Sequence, residues 1–180
     1  MTSLDKRKFG LQAALRGFDE ARQRLRGVAT PVSLARAEEI FIPLSEALWW
    51  TVSVDDGFED LSDGGLGHRP STGDYRSARN ADPSGRLLRP LRYVRDRCGH
   101  QRAFAVVPVP FGVGGPVVRP VAGGGFLYWC SSGDLPKPDP KFDQPVLRAE
   151  YDRLLAGRFP ADAVDSAADW FAREQTAAGL

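Results

Sequence analysis

At 180 residues, the chain has the length of one domain with a sizeable core. Its 42% hydrophobic and 26% charged residues are ordinary for a globular protein, and no apolar run approaches the roughly 18 residues that cross a bilayer, which excludes disordered and membrane-embedded classes. The formal net charge is only +1, yet arginines concentrate in the stretch 69–102 and acidic residues in the C-terminal third.

The N-terminus and the cysteines indicate the compartment. No apolar core or cleavage site follows the first charged residues, so no secretory signal is predicted and we expect a cytoplasmic protein. The two cysteines, Cys98 and Cys130, are too few for a disulfide framework or a zinc site, and we expect free thiols. The two histidines and the scattered acids have no metal-ligand spacing, so neither a metal nor a cofactor is expected.

The first half of the chain predicts two helices and a loop. Apolar residues recur at helical spacing over 4–26, with Gly27 as a stop. A second, long helix is predicted over 34–61, with 30–33 as its cap and with Pro43 either bending it or starting its main segment. The stretch 62–85 is rich in glycine and proline, so we expect a mobile loop.

Two aromatic residues and a histidine in this half admit functional interpretations. Trp49 and Trp50 are adjacent and point to different faces of the second helix, so at most one can lie in the central core. We expect the other to cover a second chain. His68, in the loop, either approaches a functional cleft or is a plain loop residue.

A third helix is predicted from about Ser84 or Pro90 to Cys98, ended by Gly99. Its leucines gather on one arc that faces the core. Four arginines fall on the solvent side: Arg86, Arg89, Arg92 and Arg97. The simple interpretation is a solvated face, but a face of one charge sign is also what a nucleic-acid backbone recognises.

Arg95 and His100 stand out on this helix. Arg95 falls between two leucines at the edge of the apolar arc, where a guanidinium must find an anion. That anion is either a phosphate or an acidic side chain of the second helix: Asp55, Asp56 or Glu46. His100 lies at the predicted helix exit, close to Arg95, where it either caps carbonyls as an inert surface residue or joins Arg95 in phosphate chemistry as a proton-transfer group.

After His100 the residues become typical of strands, over 103–109, 117–121 and 126–130, with a hairpin over 117–130. A proline-rich connector is predicted over 134–145. Two closing helices follow, over 146–156 and 161–178.

The six residues Arg95-Asp96-Arg97-Cys98-Gly99-His100 resemble the motif of the HEPN superfamily, in which Arg is followed by a polar residue and then, after a short spacing, by His. HEPN proteins are helical bundles, and many are metal-independent ribonucleases of toxin–antitoxin, abortive-infection and CRISPR systems that act as dimers with both motifs facing one cleft. The resemblance implies that Arg95 and His100 are catalytic and that Asp96 orients them. The chain departs from the family where Gln101 and Arg102 follow, since some members carry a tyrosine there, and where strand-like residues come next.

We therefore expect one domain over 1–180, mainly α, formed by a helical bundle with a small β-hairpin insertion at about 103–130. The expected function is a metal-independent endoribonuclease, a toxin or defence effector that cleaves RNA by 2′-hydroxyl attack in the cleft of a homodimer, with an antitoxin or a defence complex as a further partner. The RNA backbone would be held by Arg86, Arg89, Arg92, Arg97 and Arg102. The alternative is a non-catalytic interaction protein of a defence or phage-related assembly, in which Arg95 pairs with an acid and the hairpin is the docking surface.

Overall fold

A computed structural model of the chain describes residues 2–29, 32–33, 39–63, 68–101, 105–110, 124–135, 137 and 144–180. In these ranges the protein is mainly helical, with a small sheet, as the sequence predicts. The helices are α1 (Ser3–Val28), α2 (Phe41–Ser62), α3 (Thr72–Ala81), α4 (Leu88–Gln101), α5 (Pro145–Leu154) and α6 (Pro160–Ala178), and a 3₁₀ turn (Gly85–Leu87) precedes α4.

The first helix begins at a reciprocal cap. The Thr2 hydroxyl accepts from the Asp5 backbone N–H at 3.1 Å, and the Asp5 carboxylate accepts from the Thr2 N–H at 2.8 Å, which satisfies two donors that a helix start leaves open. The helix buries an apolar stripe that includes Leu11, Leu15 and Phe18. This stripe packs on α2, and the prediction of an amphipathic first helix is confirmed.

Helices α1 and α2 run antiparallel. Arg7, near the start of α1, donates to the Asp60 carbonyl at 2.7 Å, and Arg24, near its end, donates to Glu46 at 3.0 Å. Pro43 lies in the first turn of α2, where its missing N–H is not needed, so the alternative that proline starts the main segment is confirmed.

Helix α3 lies within the stretch for which the sequence predicted a mobile loop, and for 68–85 that prediction is wrong. The Ser71 hydroxyl accepts from the Asp74 N–H at 3.2 Å and caps the helix. Only Tyr75 and Arg79 are buried, one turn apart. Because half of this buried face is an arginine, the helix has no apolar periodicity to detect. Residues 64–67 lie outside the described part of the chain.

Helix α4 continues through Gly99 to Gln101, so the predicted end at Cys98 is wrong. Glycine inside a helix costs only about 1 kcal/mol relative to alanine. The buried residues Leu91, Val94 and Cys98 pack the preceding turns against the core, and this packing outweighs the local preference of Gly99 for a helix end.

Three antiparallel strands form the sheet: β1 (Val32–Ser33), β2 (Val106–Pro110) and β3 (Gly124–Trp129), in the order β1-β3-β2. Strands β2 and β3 pair in the register Val107 to Tyr128 and confirm a β hairpin at 103–130. Its predicted strand over 117–121 lies outside the described residues. The sequence assigned Val32 and Ser33 to a helix cap, and that assignment is wrong because they pair with β3.

The closing helices α5 and α6 agree with the prediction within two residues at each end. Phe171 of α6 joins them to the core, with its ring centre 5.2 Å from that of Phe18 and 6.0 Å from that of Phe58. Among the described helices, none combines the length and the apolar run that crossing a membrane requires.

Candidate functional site at the polar face of helix α4

Helix α4 packs against α2 on one side and α5 on the other, which leaves only a narrow part of its circumference open. The apolar arc predicted from the sequence is buried, as Leu88, Leu91 and Val94 demonstrate. The opposite side is also partly covered, because Tyr93 lies 5.6 Å from Tyr151 of α5, between ring centres. What stays accessible is a line of residues that we call the polar strip: Arg89, Arg92 and Asp96.

Arg95 lies at the edge of the packed face, beside α2, as predicted. Its side chain is 23% exposed, and its Nε lies 3.1 Å from the Asp96 carboxylate. Its Cζ lies 5.5 Å from the centre of the Trp49 ring, within reach of a cation–π contact. Asp96 is itself 51% exposed. The guanidinium is thus oriented from two sides at the surface of the protein.

The ion pair with α2 that the sequence offered for Arg95 is made by Arg92 instead. The Arg92 Nη2 donates to Asp55 at 3.0 Å and to Asp56. Burial lowers the pKa of Arg92, but the hydrogen bond to Asp56 and the charge of Asp55 outweigh it, so the net pKa is raised. Arg92 is 31% exposed, and the prediction that it lies freely on the solvent side is wrong because α4 turns this residue toward α2.

His100 lies in the last turn of α4 rather than beyond the helix exit, which corrects the prediction. Its side chain is outside the described part of the structure. At about 100° per residue, His100 falls about 140° from Arg95 around the helix axis, but only about 40° from Asp96. The backbone register therefore puts His100 on the polar strip, and its meeting with Arg95 stays a prediction.

The other predicted RNA-binding arginines differ in accessibility. Arg97 is only 7% exposed and its guanidinium lies 5.6 Å from the centre of the Tyr93 ring, so its predicted solvent position is wrong because the α5 side covers it. Arg89 lies 3.0 Å from Glu150 of α5. Arg86 is exposed and forms no ion pair with any described residue. Arg102 lies outside the described residues.

Beneath the polar strip lies a buried ionic cluster that sequence reasoning missed. Asp55 is 2% exposed and accepts hydrogen bonds from Tyr75 at 2.9 Å, from Arg79 at 2.6 Å and from Arg92. Burial, and then the negative charge of Asp55, raise the pKa of Tyr75. The signal in the sequence was the Ser71 cap before residues one helical turn apart, which would have aligned Tyr75 with Arg79.

Two adjoining depressions open beside this cluster. The larger, of about 440 Å³, lies between α2, α3 and α4, and its charged lining comprises Asp56, Glu59, Arg76, Arg79, Arg89 and Arg92. The smaller, of about 160 Å³, is lined by Asn80, Arg86, Arg89, Glu150, Arg153 and Leu154. They share Asn80 and Arg89. The sequence gave no indication that Asn80 and Arg153 would join the predicted basic residues here.

Large apolar side chains are exposed on α2 near Arg95. Trp49 is 59% exposed and Ile42 is 67% exposed, and their separation of two helical turns puts them on one side of α2. Trp50, in contrast, is half-buried against α1, where a Cβ on Gly17 would lie 2.6 Å from the Trp50 ring. The expectation that at most one of the two tryptophans lies in the core is thus correct.

The remaining candidate groups are held in the body of the protein. His68 Nε2 lies 2.9 Å from Glu174, a residue 2% exposed on α6, so His68 is anchored away from the polar strip. Cys98 and Cys130 are buried free thiols, and burial raises the pKa of Cys98 to about 11. Over the residues that the structure describes, no cluster of three or more His, Cys, Asp or Glu side chains could hold a metal ion.

Comparisons with models of protein families, with curated proteins and with solved structures returned no match for the chain. Any function must therefore be argued from the residues and geometry described above.

Proposed function

We propose that the protein is a metal-independent endoribonuclease of the HEPN type, which acts as a toxin or defence effector from the end of α4. The observation that carries the proposal is the position of Arg95. Its ion pair within the described part of the chain is with the surface residue Asp96 and not with the buried acids of α2. A guanidinium oriented at the surface, and not neutralised from inside the core, is equipped to bind a phosphodiester.

The proposed reaction uses the substrate's own nucleophile. Arg95 binds the scissile phosphate and stabilises the charge that develops on its oxygens. The 2′-hydroxyl oxygen attacks phosphorus, the bond to the 5′-oxygen of the next nucleotide breaks, and a cyclic phosphate remains. His100 transfers the proton that leaves the 2′-hydroxyl or the proton that the departing 5′-oxygen gains. Asp96, in contact with Arg95 and one turn before His100, positions both.

The exposed apolar residues of α2 support a two-subunit cleft. Trp49 contacts the Arg95 guanidinium and shares its side of α2 with Ile42. Burial of these side chains against a second copy of the chain would bring two α4 ends together, and it would remove apolar surface from water. In a toxin–antitoxin or defence setting, an antitoxin or a partner of the defence complex would cover the same surface.

RNA cleavage by the purified protein tests the proposal. We expect wild-type protein to yield cyclic-phosphate ends, and we expect Arg95→Ala and His100→Ala each to lower the rate by about 10²-fold or more, since proton transfer alone contributes about 10²–10⁴-fold. Arg16→Ala is the matched control, because Arg16 is exposed on α1 and forms no ion pair with the described residues. Unchanged cleavage by His100→Ala would sink the proposal.

A second candidate is a non-catalytic interaction protein, and the pairing of the polar strip favours it. Arg89 and Arg92 are bound to acids of the same chain, and the helix register separates Arg95 from His100. Toxicity on expression distinguishes the two candidates. Growth inhibition that His100→Ala relieves indicates the enzyme, whereas absence of RNA cleavage by both proteins indicates the binding protein.

A further inference from the structure

The smaller of the two depressions has the composition of an anion site. Three elements supply its lining: Asn80 from the end of α3, Arg86 from the 3₁₀ turn, and Arg153 from the last turn of α5. Arg89 and Glu150 complete it, and they pair with each other at 3.0 Å. This single carboxylate is therefore already engaged by one of the three guanidiniums.

The other two guanidiniums have no counter-charge. Arg86 and Arg153 are exposed, and neither forms an ion pair with any residue that the structure describes. Two like charges that face one small depression repel each other unless an anion lies between them. Such an anion would receive two planar, forked donors and the amide of Asn80, an arrangement that suits the oxygens of a phosphate group.

The size of the depression limits the ligand. At about 160 Å³, it is smaller than the roughly 300 Å³ at which pockets for drug-sized molecules begin. It therefore suits one phosphate group rather than a complete nucleotide or cofactor. The rest of a larger ligand would extend along the surface.

The larger depression gives the direction of that extension. It shares Asn80 and Arg89 with the smaller one and continues toward Arg92 on the polar strip. With a rise of about 1.5 Å per residue, Arg89 and His100 lie about 16 Å apart along α4, a distance that a single strand of several nucleotides can follow. The anion site and the end of α4 are therefore on one path.

We propose that the depression between Asn80, Arg86 and Arg153 is a phosphate-binding site. Its ligand is a backbone phosphate of RNA, held several nucleotides away from the bond at the end of α4. The assignment to RNA rests on the proposed ribonuclease function, whereas the affinity for phosphate oxygens rests on the lining alone.

The experiment measures binding of a short fluorescein-labelled single-stranded RNA by anisotropy, with inorganic pyrophosphate as competitor. The test variant is the double substitution Arg86→Gln/Arg153→Gln, and the control Arg16→Gln/Arg158→Gln removes equal charge from exposed arginines that have no ion pair with the described residues. Both use full-length His100→Ala protein so that the RNA stays intact.

We expect the test variant to weaken RNA binding by about tenfold or more and to reduce the salt dependence by roughly 0.7 per lost phosphate contact. The control should change the affinity by less than about twofold, because its charges lie outside the track. Glu150→Gln removes the one acid of the lining and should tighten binding severalfold. Equal weakening by the test and control pairs, or no tightening by Glu150→Gln, would overturn the site.

The outcomes also separate this site from the proposed function. Cleavage by wild-type protein with binding unaffected by Arg86→Gln/Arg153→Gln refutes the site and leaves the ribonuclease. Absence of cleavage, together with pyrophosphate binding that the same pair abolishes, refutes the ribonuclease and assigns the site to free phosphate compounds. RNA binding that depends on the pair and that pyrophosphate displaces supports both.

Discussion

One carboxylate, that of Asp55, connects three helices. It lies on α2 and accepts from Tyr75 and Arg79 of α3 and from Arg92 of α4. Because Asp55 is only 2% exposed, its removal would leave buried donors without an acceptor, which costs more than the interaction itself contributes. The cluster thus makes the position of α4 dependent on one residue of α2.

Asp55→Asn should therefore lower the free energy of unfolding by about 3–5 kcal/mol, the usual cost of removing one partner of a buried ion pair. Asp56→Asn is the control, since Asp56 also contacts Arg92 but is 52% exposed, and exposed pairs contribute at most about 1 kcal/mol. Urea denaturation of both variants gives the two values. Equal destabilisation would contradict the central role of Asp55.

The pairing of Arg92 rather than Arg95 also illustrates what the sequence could not predict at this scale. The apolar arc and the edge position of Arg95 followed from helical periodicity. Which of two arginines one turn apart reaches Asp55 depends on the rotation of α4 about its axis, and that rotation is set by contacts with α2 and α5 together. Periodicity within one helix contains no such information.

At the scale of elements, apolar periodicity determined which helices could be predicted. Helices α1 and α6 bury regular apolar stripes and were predicted with nearly correct bounds. Helix α3 was missed because a polar pair, Tyr75 and Arg79, occupies its buried face. The local signal of Gly99 was correct chemistry for a helix end, but the packing of α4 overrode it.

The junction between α3 and α4 is held by a close backbone approach at Gly85. A Cβ there would lie 2.6 Å from the Arg79 carbonyl oxygen and 3.0 Å from the Trp170 ring. Gly85→Ala should therefore destabilise the protein by about 1–3 kcal/mol, as overpacking does. In Gly10→Ala, the new methyl group meets nothing within 4 Å, so this control should be stabilising by up to about 1 kcal/mol. Thermal unfolding should lower Tm for the first variant and raise it for the second.

At the scale of the whole molecule, the proposed function requires two chains. Ile42 lies on the exposed side of α2 with Trp49 but does not belong to the proposed catalytic residues. Ile42→Asp should convert a dimer to a monomer and abolish RNA cleavage, because a buried unpaired charge opposes association. Size-exclusion chromatography with light scattering measures the mass. Phe9→Ser is the control: Phe9 is 64% exposed on α1 near the other end of α2, and its loss should leave the dimer intact. A wild-type monomer would contradict the two-subunit cleft.

The overall class was predictable because helix and strand periods differ, so the change after His100 was visible in the sequence. Strand β1 was not, since two residues have no measurable period and their pairing with β3 joins positions far apart in the chain. The anion site was equally out of reach, because Asn80, Arg86 and Arg153 come from three elements that only the folded chain brings together.

The order of the sheet also bears on how the protein behaves at high concentration. Strand β2 is an outer strand, paired on one side with β3, and it contains Pro108 and Pro110. Both prolines lack the N–H that an incoming strand would need. The rim of the sheet is therefore a poor template for strands of other molecules, which protects the protein from aggregating through this edge.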